Sequence, residues 1–264
     1  MNIDNLNKAI EYIEKNLTNK IDYKELSKIV GLSEQSFNRV FSFLTDNTLT
    51  EYIRKRRLSK AYEELKNSDT KIIDLATKYN YESDISFTRA FKNLFGITPS
   101  ECRKGNNEIT LYPIANFSNS NAIKELKYKI VKVENEKEIY GFNVENENYD
   151  DYLYKIRDLY SKIEKLAVYK EMKDIGMYGV SIIEDNKYRY ILGSESKLEN
   201  SIKIIIPQGQ YIVFEIGSRE QQDIVKTFKS IYADWLPSTS YNVDMNFCFE
   251  VYKEDNCFLY LMLK

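Results

Sequence analysis

The feature that most constrains the fold of this chain is an internal repeat with a period of 50 residues. A motif of two phenylalanines flanking an arginine occurs as Phe37-Asn38-Arg39-Val40-Phe41 and again as Phe87-Thr88-Arg89-Ala90-Phe91. Phenylalanines four positions apart share one face of a helix, whereas the arginine between them lies elsewhere on its surface. Two copies are too few for a solenoid, so the repeat predicts a duplicated helical module.

Capping residues around each copy predict a second, preceding helix. In the first copy, Asp22 begins a helix, Gly31 suits the left-handed residue that ends it, and Ser33 caps the helix with the motif. In the second copy Asn80 takes the place of the glycine and Ser83 is the cap. Helix, short turn and helix form a helix-turn-helix unit, which reads DNA with its second helix.

A connecting helix is predicted over about residues 50–67, between the two units. At 1.5 Å per residue it spans roughly 27 Å, close to the ~34 Å between successive major grooves on one face of DNA. One chain could therefore place two recognition helices in adjacent grooves. The run Arg54-Lys55-Arg56-Arg57 on this helix is either a solvated face or a set of phosphate contacts, and the sequence leaves both open.

Composition limits the chemistry available to the chain. It has 264 residues, a net charge of −2, three cysteines and no histidine. Without histidine, the usual general base and the commonest metal ligand are missing, so we expect no metal and no cofactor. The cysteines form no CxxC motif and are predicted to be buried and reduced. The sequence shows neither a signal peptide nor a membrane span, so we predict a cytoplasmic protein that does not contact membranes.

The hydrophobic pattern changes after a loop-rich linker at 106–123. Strands are predicted at 130–133, 139–144, 177–183, 188–192, 202–206, 211–216, 246–252 and 258–263, with helices over 153–166 and 224–235. The fold class is therefore an all-α double helix-turn-helix domain at 1–105, followed by an α+β domain at 124–264. The second domain has two strand-helix-strand halves, and a surface between such halves is a natural pocket.

The N-terminal part resembles the DNA-binding domain of the AraC-type transcriptional regulators. The matching residues include Gly31-Leu32-Ser33, Phe37, Arg39, Phe41, Arg57-Leu58, Leu75-Ala76, Phe87, Arg89, Phe91-Lys92 and Gly96-Ile97-Thr98-Pro99. The resemblance implies double-stranded DNA as the partner and assigns DNA-binding positions. They are Gln35, Ser36, Asn38 and Arg39 in the first unit, and Asp84, Ile85, Ser86, Thr88 and Arg89 in the second.

The C-terminal part resembles the gyrase-inhibitor-like effector-binding domain of multidrug sensors. The residues that carry the resemblance are Tyr178-Gly179, Tyr188-Arg189-Tyr190, 206–211, Trp235-Leu236-Pro237 and Phe249-Glu250-Val251-Tyr252. It implies a small apolar, aromatic or cationic effector whose charge is met by Glu250. The expected effector-binding residues are Glu250, Trp235, Tyr178, Tyr190, Tyr211 and Tyr252.

Strand alternation gives Glu250 two interpretations. Phe247, Phe249 and Val251 face one way, whereas Cys248, Glu250 and Tyr252 face the other. Glu250 is then either a solvated residue on an outer face or a carboxylate in an aromatic pocket. A carboxylate among tyrosine faces would bind an organic cation by Coulomb attraction and cation–π contact.

Three functions fit the sequence. The first is a one-component transcription regulator that reads DNA and senses an effector. In the second, the C-terminal domain is a hydrolase in which Glu250, with Tyr178 or Tyr211, activates a water molecule. In the third, that domain binds only a protein partner such as RNA polymerase.

Overall fold

A computed structural model describes residues 2–105, 109–118 and 126–264. The chain divides into two compact units. The helical unit comprises Asn2–Gly31 and the described part of Asn47–Ser118, and the sheet unit comprises Leu32–Asp46 together with the described residues from 126 onward. The predicted boundaries at 105/106 and 123/124 remain predictions, and 106–108 and 119–125, which include part of the predicted linker at 106–123, lie outside the described residues.

The helical unit is built from six helices in its described residues, and the helix that begins after Asp22 carries the predicted caps at both ends. Asp22 accepts hydrogen bonds from the backbone amides of Lys24 and Glu25, and Gly31 ends its helix at a φ of 71°. The first helix is capped by Asn2, whose side chain accepts a hydrogen bond from the Asp4 amide. The elements are α1 (Ile3–Lys15), α2 (Tyr23–Val30), α4 (Leu49–Asn67), α5 (Ile72–Lys78), α6 (Asp84–Phe95) and α7 (Pro99–Lys104).

The second helix-turn-helix of this unit forms as the repeat predicts. Asn80 adopts the left-handed conformation, with a φ of 61°. Ser83 caps α6, and the rings of Phe87 and Phe91 are fully buried with centroids 5.7 Å apart. The short helix α7 was not predicted. Its start is marked by Pro99 in the first turn and by a capping box formed by Thr98 and Glu101.

The basic run on α4 is tied to its own unit. Arg56 is 6% exposed and makes a two-point ion pair with Glu14, with both N–O distances 2.8 Å. Arg57 donates to the backbone oxygens of Leu17 and Asn19, each at 2.9 Å. These two arginines therefore hold α4 against the first helix and the loop that follows it, which the phosphate-contact interpretation did not foresee.

The sheet unit contains one antiparallel sheet of eight strands in the order β1-β6-β8-β7-β3-β4-β2-β5. Its strands are β1 (Tyr128–Val133), β2 (Lys137–Asn146), β3 (Met177–Glu184), β4 (Lys187–Ser194), β5 (Ile202–Ile206), β6 (Gly209–Glu215), β7 (Val243–Lys253) and β8 (Asn256–Leu263). Its helices are α3 (Glu34–Thr45), α8 (Tyr149–Ile163), α9 (Ala167–Ile175) and α10 (Gln221–Ser230), and α10 continues into a π-helical turn, Ile231–Trp235. Helix α9 was not predicted.

The two faces of the sheet differ in chemistry. One face is an apolar cluster that includes Val180, Tyr211, Phe249 and Val251. The alternation predicted for β7 is confirmed, because Phe249 belongs to this cluster while Glu250 hydrogen-bonds on the other face. In the described part of the chain, every cysteine is a buried free thiol, and no helix is long and apolar enough to span a membrane.

Candidate DNA-reading and effector sites

Helix α6 presents its predicted DNA-reading residues to solvent. Asp84 and Arg89 are exposed, Ile85 is 76% exposed, and Ser86 and Thr88 are half-buried. The Ser86 hydroxyl is used at the start of the helix, where it accepts from the Ser83 amide at 3.2 Å and donates to the Ser83 backbone oxygen at 2.8 Å. The remaining groups are free to meet a DNA groove.

Helix α3, which carries the matching residues of the first unit, is packed into the sheet unit. Arg39 is only 5% exposed. Its Nη2 donates to the backbone oxygen of Met245 at 2.8 Å and to the Tyr232 hydroxyl at 3.4 Å, and its Nη1 lies 3.8 Å from Cys248 Sγ.

The neighbours of Arg39 on α3 are engaged as well. The Ser36 hydroxyl donates to Asn246 Oδ1 at 2.7 Å. Gln35 receives a hydrogen bond from Tyr188 Oη on its backbone oxygen at 3.1 Å. The Asn38 side chain lies beside the same tyrosine. All four residues assigned to DNA reading in the first unit therefore contact the sheet unit.

Glu250 is buried in a hydrogen-bonded cluster with Tyr160, Tyr190 and Tyr252, which we call the Glu250 chamber. The carboxylate is 8% exposed and accepts hydrogen bonds on Oε2 from Tyr252 at 2.8 Å and from Tyr190 at 3.0 Å. Tyr160, on α8, hydrogen-bonds to both hydroxyls, at 2.7 Å to Tyr190 and 3.2 Å to Tyr252. The lone pairs of Oε1 are not used by these tyrosines. Glu250 is thus not a solvated strand residue.

Gly179 makes room for this chamber. It lies directly across from Glu250 in the β3–β7 pair, and on the same face. A Cβ at this position would lie 2.6 Å from Glu250 Oε2 and inside van der Waals contact of the Tyr190 hydroxyl. A glycine here lets the carboxylate and the phenol approach the strand backbone closely.

Burial sets the protonation of the chamber. Desolvation raises the pKa of the Glu250 carboxyl above its ordinary value of 4.5, against the opposing effects of the Tyr252 and Tyr190 hydrogen bonds and the Arg39 charge. Desolvation, and then the nearby carboxylate, raises the pKa of Tyr190 and of Tyr252 well above the ordinary value. The phenols therefore remain protonated donors. Ionisation of the Glu250 carboxyl is costly in this buried site, and a nearby positive charge would offset that cost.

The structure brings together three of the six residues predicted for the effector: Glu250, Tyr190 and Tyr252. Tyr178 and Tyr211 lie on the opposite, apolar face, where Tyr178 donates to Glu195 and Tyr211 to the Pro207 oxygen. The pairing of Glu250 with either residue, on which the hydrolase hypothesis rested, is therefore not formed.

Trp235 belongs to a separate aromatic cluster, stacked 5.6 Å from Tyr241 and edge-on to Phe214 at 4.9 Å. Two members of the chamber, Tyr160 and Gly179, were not singled out as site residues. Tyr160 had one available signal: it lies four residues after Ile156 and three before Ile163, a spacing that places the three on one face of a helix.

The raised pKa of Glu250 predicts how stability changes with pH. The folded state holds this proton more tightly than the unfolded state, so the free energy of unfolding contributed by Glu250 falls as pH rises from about 4.5 through the folded pKa. Relative to wild type, Glu250→Gln should therefore become progressively more stable over that range and then level off. Urea unfolding of both proteins at a series of pH values measures this; a difference independent of pH would contradict the buried carboxylate.

Comparisons with known proteins match the two parts of the chain separately. A family model described as a helix-turn-helix domain matches residues 26–105, and one described as integron-associated effector binding protein (Cass2) matches residues 129–261. The chain belongs to the AraC-type helix-turn-helix regulators that carry a Cass2, gyrase-inhibitor-like effector-binding domain. It is thus a DNA-binding transcription regulator.

Each relative matches only part of the chain. The HTH-type transcriptional activator AarP of Providencia stuartii is 36% identical over 95 residues, 36% of this chain and 70% of AarP. The multiple antibiotic resistance protein MarA of Escherichia coli is 33% identical over 101 residues, 38% of this chain and 80% of MarA. A structure of SAV2435 bound to tetraphenylphosphonium is 15% identical, with a TM-score of 0.47 over 53% of this chain and 94% of that chain.

Proposed function

We propose that this regulator senses a bulky apolar cation, which enters the chamber between α8 and the sheet and forms an ion pair with Glu250. The single observation that supports this most strongly is a buried carboxylate whose hydrogen bonds come from neutral phenols. Such a group is costly to ionise without a partner and gains most from a cation that replaces water. The faces of Tyr160, Tyr190 and Tyr252 supply cation–π contacts for the same ligand.

Tetraphenylphosphonium is a suitable probe because it is apolar, cationic and free of titratable groups. We expect it to bind the full chain with one site. Binding the ionised carboxylate must expel the Glu250 proton, so affinity should rise with pH up to the pKa of the empty chamber and then become constant. Calorimetric titration at several pH values tests the proposal. An affinity that does not change with pH, or no saturable binding, would refute it.

DNA reading by α6 carries a prediction of its own. Arg89→Ala should weaken binding to a duplex selected from a random library by about 1–3 kcal/mol and relax the preference at one base position. Lys15→Ala is the matched control, because it removes one exposed positive charge from α1. Anisotropy titrations at fixed salt compare the two. Equal losses in both variants would show a general charge effect instead of base reading.

RNA polymerase remains a proposed partner, which we infer only from the class of regulator.

A further inference from the structure

The repeat gives a direct comparison between two recognition helices in one chain. Arg89 on α6 is exposed, whereas Arg39, 50 positions earlier on α3, is 5% exposed. The difference lies in what covers α3. The C-terminal end of α3 also packs against α10: Phe43 stacks on Phe228 with centroids 4.5 Å apart, and Asp46 pairs with Lys229 at 2.7 Å. We call the side of α3 formed by Gln35, Ser36, Asn38 and Arg39 the docked face.

The docked face cannot read DNA while these contacts persist. Base edges are read by side-chain donors and acceptors that must be free. Here the Ser36 hydroxyl is committed to Asn246, and the Arg39 guanidinium to Met245 and Tyr232.

Docking leaves polar atoms of α3 unsatisfied. Among the described residues, neither Asn38 Oδ1 nor Arg39 Nε has a hydrogen-bond partner, although both are buried. A buried polar atom without a partner destabilises the state that buries it. These two atoms therefore destabilise the docked arrangement relative to a released α3, in which they would form hydrogen bonds with water or DNA.

The contact between the docked face and β7, which we call the dock, lies close to the Glu250 chamber. Cys248, which touches the Arg39 guanidinium, is two residues before Glu250 on the same face of β7. The Arg39 charge, after the Tyr252 and Tyr190 hydrogen bonds, lowers the pKa of the Glu250 carboxyl against the larger effect of burial. Arg39 thus places a positive charge within electrostatic range of Glu250.

We propose that the sheet unit sequesters the first recognition helix, and that an organic cation at Glu250 replaces the electrostatic role of Arg39 and releases α3 to DNA. This inference rests on the proposed cation site. Once a ligand neutralises Glu250, the attraction on Arg39 is lost and the ligand repels the guanidinium. Because coupling between two sites is reciprocal, DNA that captures α3 should raise cation affinity by the factor by which the cation raises DNA affinity.

A reversible cross-link tests the dock. The Ser36 hydroxyl and the Asn246 side chain touch, so Ser36→Cys with Asn246→Cys should form a disulfide under mild oxidation that pins α3 to β7. The native cysteines are buried free thiols and should not compete. Mass measurement with a thiol reagent quantifies the bridge, and each single-cysteine variant is treated identically as a control.

We expect the oxidised double variant to bind the selected duplex at least about tenfold more weakly than the same protein after reduction, and tetraphenylphosphonium to strengthen binding only in the reduced form. Failure to form the bridge, or equal DNA affinity in both redox states, would overturn sequestration while leaving cation binding intact. If the cross-link weakens DNA binding as expected but tetraphenylphosphonium does not bind, the dock is retained and its proposed trigger is removed. Failure of the wild-type protein to bind any duplex selected from a random library would overturn both the dock and the DNA reading on which it rests.

Discussion

Replacing Glu250 with glutamine is expected to abolish selective binding of cations while stabilising the empty protein at neutral pH. Glutamine keeps the shape of the side chain but removes the charge that an organic cation would meet in the chamber. Close pairs of buried charges contribute about 1.5 kcal/mol or more to binding, and 1.4 kcal/mol is a factor of ten in affinity. Tetraphenylphosphonium should therefore bind Glu250→Gln at least about tenfold more weakly than wild type.

A neutral ligand of similar shape provides the control for this variant. Triphenylphosphine oxide carries no net charge and loses no ion pair in the variant, so its affinities for wild type and Glu250→Gln should differ much less than those of tetraphenylphosphonium. Calorimetry on both ligands gives the comparison. Equal tetraphenylphosphonium affinity in the two proteins would mean that the tyrosine faces alone select the ligand and that Glu250 has no charge-matching role.

Replacing Arg56 with alanine is expected to have the largest effect on stability. The change leaves Glu14 as a charge without its partner in a site where the two side chains are 6% and 14% exposed. Breaking one side of a buried pair costs about 3–5 kcal/mol. Urea unfolding followed by helical circular dichroism should detect this as a lower midpoint for the helical unit.

Arg54→Ala is the matched control, two residues away on the same helix. Its pair with Glu51 is partly exposed, so its loss should cost no more than about 1 kcal/mol. The double change Glu14→Leu with Arg56→Met should recover much of the lost stability, because an apolar pair removes both charges. If Arg56→Ala costs no more than Arg54→Ala, the buried pair does not form in solution.

Local rules predicted the helical elements well because their signals lie within a few residues. The caps at Asp22, Ser33 and Ser83, and the left-handed Asn80, depend only on backbone geometry near each residue. The face of Glu250 followed from strand alternation alone. In these cases the structure at a residue depends only on residues within the same helical turn or the same strand.

Tertiary contacts were beyond those rules. Arg39 meets Met245 across 206 positions of sequence, and no local pattern links the two residues. An arginine on the front of a recognition helix has the same sequence signature whether it faces DNA or protein. Tyr160 was missed for a related reason, since helical periodicity alone does not say which strand a helix side chain will meet. Tyr178 and Tyr211 were predicted because they lie in motifs that carry the resemblance to the effector-binding domain, but strand parity places them on the opposite face.

Occupancy at Glu250 should change DNA affinity, and a linkage measurement tests this coupling most directly. Operator Kd is measured by anisotropy at fixed salt with and without saturating tetraphenylphosphonium, and the ligand Kd is measured with and without operator. Allosteric coupling typically amounts to a factor of about 5–150. We predict that each molecule tightens the other by the same factor in wild type, and that Glu250→Gln shows a factor of one. Operator affinity that does not respond to bound ligand in wild type would contradict the account.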